Sequence, residues 1–115
     1  MNSIRFIGSA AIALAATAAL AHHGWSGYET SATKLSGTVE RSNYGNPHGT
    51  MVLKAGDRSW NVVLAPVSRM ENRGLTREML ANGTPASVEG YVHMQTKDEL
   101  RAERITIGGK TVELR

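Results

Sequence analysis

The chain contains no cysteine, and among its 115 residues there are only three prolines, two tryptophans, three tyrosines and one phenylalanine. Without cysteine there can be no disulfide, no thiolate metal site and no cysteine nucleophile, so the fold must hold by packing or by a bound ligand. No Gly-x-Ser-x-Gly turn, phosphate-binding glycine loop or His-Glu-x-x-His helix occurs, and no pair of acids is positioned for acid–base work. Enzymatic hydrolysis is therefore not expected. Charge of one sign is also missing, since 13 basic residues face 10 acidic ones and the two kinds are interspersed. That balance is too weak for a nucleic-acid partner.

The longest apolar run lies at the start, from Phe6 into an alanine- and leucine-rich core that ends at Ala19-Leu20-Ala21. At roughly 15 residues it is short for a membrane span, and no stop-transfer pattern follows. Small residues at Ala19 and Ala21 suit signal peptidase, so residues 1–21 are expected to be a cleaved leader. The mature protein would then be periplasmic or secreted, without stable membrane insertion. A second acceptable cut after Ala18 would leave Ala19-Leu20-Ala21 in place. Cleavage after Ala21 makes His22 the first residue and leaves a chain of one-domain size: an arm over 22–33 and a β domain over 34–115.

Alternation at Leu35, Gly37 and Val39 predicts a first strand. The turn-rich Asn43-Tyr44-Gly45-Asn46-Pro47-His48-Gly49 predicts a loop. Met51–Lys54 and Trp60–Leu64 read as a hairpin joined by Ala55–Arg58. Pro66 stops the third strand. Met70, Leu75 and Met79 then recur at helical spacing, with Gly74 able to end a turn and Thr76 able to cap another. Alternation resumes over Ala86–His93 and Arg101–Ile107, and Gly108-Gly109 turns into Thr111–Leu114. The order predicts a mainly β fold, a small OB-fold-like barrel of five or six strands with one or two short helices between the third and fourth. Such barrels bind ligands on the face of strands two and three and at the loop between strands one and two, where His48 sits.

A free amine and an imidazole on His22, a second imidazole on His23, and His48 behind Pro47 form a nitrogen-only donor set. These donors favour Cu(II), with zinc and nickel behind. The predicted metal ligands are His22, His23 and His48. His93 shares strand parity with Ser87, Glu89 and Tyr91, the polar side, and is expected to be exposed. Met51, Met70 and Met79 fit core positions, whereas Met94, beside His93, could be a soft ligand. Trp25 and Tyr28, in an arm that is either mobile or strapped over the domain, could shield a metal, and Trp60 reads as core. Arg69, Arg73 and Arg77 could grip an anionic partner or form a solvated basic face.

The pattern His22-His23 with Trp25, Gly37-Thr38-Val39, Asn46-Pro47-His48, Leu64-Ala65-Pro66, Arg73-Gly74-Leu75-Thr76, Gly90-Tyr91 and Ala102-Glu103-Arg104 resembles small exported bacterial proteins grouped as a domain of unknown function. The resemblance covers nearly the whole mature chain. It implies an exported β-barrel with His22, His23 and His48 at the matching ligand positions, but no activity. Gly45 and Gly49-Thr50 depart from the bulkier residues of many relatives and predict a more mobile loop. A second, narrower resemblance is to copper proteins whose mature chain begins with histidine, including periplasmic copper carriers and copper-dependent polysaccharide oxygenases.

Copper handling, with a periplasmic protein partner as a further candidate, is the leading expectation. A non-catalytic binding module for a peptide, glycan or protein is the alternative, and would show an exposed apolar and aromatic patch around Met51–Leu64. A copper-dependent oxidase ranks third.

Overall fold

The structure, a computed structural model, describes residues 25–115. Residues 1–21, expected to be a leader, and His22 and His23 lie outside the described residues. Six strands form one sheet: β1 (Thr33–Asn43), β2 (Thr50–Ala55), β3 (Arg58–Val63), β4 (Pro85–Val92), β5 (Glu99–Ile107) and β6 (Lys110–Glu113). A helix α1 (Val67–Asn72) and a 3₁₀ turn (Glu78–Leu80) stand between β3 and β4. The strand order is β3-β2-β1-β4-β5-β6, and β3 also pairs with β5 in parallel through Asn61, Val62 and Val63 against Glu99, Leu100 and Arg101. That pairing closes the first five strands into a barrel and leaves β6 as an extra strand on β5. The OB-like architecture expected from the element order is the one formed.

Closure depends on β1 serving two neighbours. Its first half pairs with β4 and its second half with β2, and the register shifts between Val39 and Arg41. The bulge bends the strand where it changes partner. Gly37 sits on the inside of this bend, where a Cβ would come 2.7 Å from the carbonyl carbon of Lys54. A second bulge between Glu89 and Gly90 does the same for β4 against β5.

Alternation puts Met51 and Leu53 of β2, Trp60 and Val62 of β3, Val88 of β4 and Leu100 of β5 into one core. The other parity of β2 and β3, Thr50, Val52, Asn61 and Val63, lies on the outer face. Met70 of α1 is buried, with Leu75 and Leu80 behind it. Pro66 precedes the helix without needing to donate, and Gly74 ends it at φ +86°. Thr76 contributes its carbonyl, which accepts from the Met79 N–H at 3.2 Å, and no side chain caps the 3₁₀ turn.

The arginines of this segment bond back onto main-chain carbonyls of the fold. Arg69 donates to the Leu114 carbonyl at 2.9 Å, Arg73 to the Glu113 carbonyl at 2.7 Å, and Arg77 to the Tyr44 carbonyl at 3.4 Å. They hold main-chain acceptors at the C-terminal end and in the β1–β2 loop. The methionines divide as their positions suggest. Met51 and Met70 are buried and Met79 packs against the core, while Met94 is 60% exposed.

Candidate functional site

The loop between β1 and β2 is pinned at both ends. At its start the buried Tyr44 donates its hydroxyl to the Leu75 carbonyl at 2.5 Å, and the Arg77 guanidinium lies 5.2 Å over its ring. At its end Gly49 donates to the Ala65 carbonyl at 2.8 Å and accepts from the Leu64 N–H at 2.9 Å. Gly49 is buried, and a Cβ there would come 2.6 Å from the Met70 methyl. The glycine therefore admits Met70 and is tied down, contrary to the mobility its size suggests. Between the two anchors, Asn46, Pro47 and His48 are exposed, the Asn46–Pro47 bond is cis, and His48 Nδ1 lies 3.4 Å from the Gly49 carbonyl oxygen.

His48 stands at a groove of about 410 Å³ on the outer face of β1, β2 and β3. Arg41, Asn43, Asn61, Val63 and Glu99 share its lining. The volume is that of a small-ligand site. Its wall is mixed polar and aliphatic, and Trp60 faces the core. The aromatic patch that a peptide or glycan module would call for is not on this face.

Glu99 leads from the groove to the arm. The segment Trp25–Ala32 is a strap laid along the end of β4. Glu29 donates to the Val92 carbonyl at 2.8 Å, Met94 donates to the Gly27 carbonyl at 2.7 Å, and Tyr28 bridges antiparallel to His93. The Tyr28 hydroxyl donates to the Glu99 carboxylate. Trp25 lies edge-on to Tyr91 at 5.7 Å, with the guanidinium carbons of Arg101 and Arg115 at 4.2 and 4.8 Å from its ring centroid.

The strap corrects the expectation for His93. Its strand parity points outward, yet the ring is half-buried, since the arm covers it. Nδ1 accepts from the N–H groups of Gln95 at 3.1 Å and Thr96 at 2.9 Å, and the ring meets Tyr28 edge-on at 4.8 Å. Nε2 faces Gly27, only 3.1 Å from where a Cβ would stand. One ring nitrogen is committed and the other is roofed by the arm. The histidine acts as a post for the strap.

Of the predicted ligands, His48 is therefore at the groove and His22 and His23 lie outside the described residues. Among the described residues, no three His, Asp or Glu side chains cluster to hold a metal. Glu99 is hidden in the charged turn Lys97-Asp98-Glu99. Its phenol partner lies 71 residues away, so no local pattern marks it.

All three tyrosines are held above the ordinary phenol range. Tyr28 is pushed up to about 12, first by burial and then by its bond to Glu99 and the carboxylate's charge. Tyr44 is raised by burial and then by the charge of Glu71, whereas for Tyr91 the hydrogen bond to Glu103 comes first and burial second. A folded pKa raised above the unfolded value of about 10 stabilises fully below pH 10, and the contribution is lost as pH rises through the folded value. The strap bond from Tyr28 should thus persist to pH 10 and be lost towards pH 12. Ultraviolet titration, with circular dichroism to confirm folding, should find no tyrosine ionising with a midpoint at or below 10; one that does contradicts these contacts.

No curated protein matches the chain. A crystal structure of TiaS in complex with an isoleucine tRNA and ATP is similar, with a TM-score of 0.51 and 23% identity over 73% of this chain. The matched part spans 18% of that protein's chain, and the likeness is one of fold. Residues 10–101 match a family of unknown function, DUF6152, and the chain belongs to that family.

Proposed function

We propose that the protein is exported, loses residues 1–21, and handles copper outside the cytoplasm by binding Cu(II) through the amine and imidazole of His22, with His23 and His48. The reading rests on the donor chemistry of this set. The observation that carries it is the relation between strap and groove. Trp25, where the described arm begins, lies against Arg101, and the Cα partner of Arg101 across the β3–β5 pair is Val63, in the lining of the His48 groove. Strands in a sheet are about 4.8 Å apart.

The amine is the donor most easily tested. Mass spectrometry of the exported protein should give a chain beginning at His22 that takes up one Cu(II). A chain beginning at Ala19 carries the same imidazoles with its amine three residues away, and should bind at least about 100-fold more weakly, as expected for loss of a direct ligand when outer partners alone are worth 10–100-fold. Equal affinity of the two chains would sink the reading.

A further inference from the structure

The groove on the outer face carries a charge of opposite sign at each end. Pairing sets Arg41 of β1 opposite Val52 of β2, Val52 opposite Asn61 of β3, and Asn61 opposite Glu99 of β5. Cross-strand partners share a face of the sheet, so a guanidinium, an aliphatic side chain, an amide and a carboxylate stand in one row across four strands. All four line the groove, and Val63, two residues on from Asn61, adds a second aliphatic side chain. The polar groups of the row have bonding capacity to spare. Among the described residues no hydrogen bond or ion pair engages the Arg41 guanidinium or the Asn61 side-chain amide. Glu40, the acid next to Arg41 in the chain, accepts from the Ser59 hydroxyl instead. On Glu99 the Tyr28 phenol takes one carboxylate oxygen and leaves the other. That bond also holds the carboxylate in place, so a ligand would meet an acceptor that is already oriented.

We propose that the groove binds a small zwitterion whose carboxylate and ammonium stand at opposite ends of a short aliphatic chain. The ligand carboxylate accepts from the planar fork of Arg41, the ammonium donates to the second oxygen of Glu99, and the chain lies on Val52 and Val63. Three strand spacings separate the Cα atoms of Arg41 and Glu99 by about 14 Å along the sheet, and a contact of about 2.8 Å at each end leaves about 8 Å for the ligand. A simple anion would set its charge against Glu99, and a simple amine would set its charge against Arg41. The two ends together therefore select a molecule that carries both charges. No metal and neither terminal histidine takes part, so the site stands whether or not the copper reading does.

The probe is 6-aminohexanoate, whose five methylenes give about the required span, titrated into metal-free protein while the methyl resonances of Val52 and Val63 are followed. It should shift both residues saturably with a Kd of about 1 mM or below. Hexanoate and pentylamine each lack one charged end and should bind at least about 10-fold more weakly, the worth of one charge-assisted contact. The same loss is expected for 6-aminohexanoate on Arg41→Gln and on Glu99→Gln. Neither change threatens the fold, since Arg41 is exposed and a glutamine at 99 still accepts from the Tyr28 phenol. Pentylamine should bind Arg41→Gln no more weakly than wild type, and hexanoate should do the same with Glu99→Gln, which assigns each charge to its end; general damage to the groove would weaken both. No saturable shift of Val52 and Val63 at about 20 mM probe, or a single-ended analogue that binds as tightly as 6-aminohexanoate, would overturn the proposal.

Discussion

Replacing Gly90 with alanine is expected to cost about 3 kcal/mol or more, at the upper end of overpacking effects, and to move the urea midpoint down accordingly. The sign is notable, because alanine in a strand ordinarily stabilises relative to glycine by roughly 0.5–1 kcal/mol. Here the added Cβ would stand 2.8 Å from both the carbonyl carbon of Arg101 and the Cα of Ala102. Those are main-chain atoms, so no rotamer change can relieve the overlap. Nor can β5 withdraw, since it is hydrogen-bonded to β4 on one side and along its first residues to β3 on the other. A chain of this size has a total stability of about 5–13 kcal/mol, so the substitution removes a large part of it. Gly37→Ala should behave alike at the other bend, against Lys54. An unchanged midpoint for Gly90→Ala would mean that the barrel is not wound as tightly as the β4–β5 bulge requires.

The second large effect is on metal binding. His48→Ala in the processed chain should weaken Cu(II) binding by at least about 100-fold, or about 2.7 kcal/mol. Donor count sets the size of the effect. The amine and imidazole of His22 cannot fill the planar coordination that Cu(II) prefers, and a further imidazole from a loop fixed at Tyr44 and Gly49 brings its nitrogen with little loss of freedom. The side chain is exposed, so its removal should leave the urea midpoint within about 0.5 kcal/mol of wild type. Acid should weaken wild-type binding, because nitrogen donors bind the metal only when free of their protons.

Much of the architecture is legible in the sequence for a definite reason. Period-2 alternation at Leu35, Gly37 and Val39, or at Trp60, Val62 and Leu64, is a local record of which side of a strand meets the core. Pro66 and Gly74 similarly mark their own backbone positions. What local patterns do not record is the distant partner. The parallel register of Asn61 with Glu99 closes the barrel, yet neither residue carries a mark of the other. His93 shows the same limit. Its parity correctly points away from the core, but parity cannot anticipate an arm from 65 residues earlier lying over it. Arg69, Arg73 and Arg77 present a basic face by spacing alone, and only the fold reveals that main-chain carbonyls at the C-terminal end and of Tyr44 accept from them. His48 is legible because two local signals coincide, a stiff turn and a position between the first two strands. Glu99 has neither.

The central claim is that one copper ion is shared between the histidine terminus and the loop histidine. Its most direct test is pulsed electron paramagnetic resonance of the 1:1 Cu(II) complex, counting coordinated imidazoles in the processed protein and in His48→Ala. The account predicts one imidazole fewer in the variant, with the amine nitrogen retained in both. An identical imidazole count would show that His48 is not a ligand and would contradict the account.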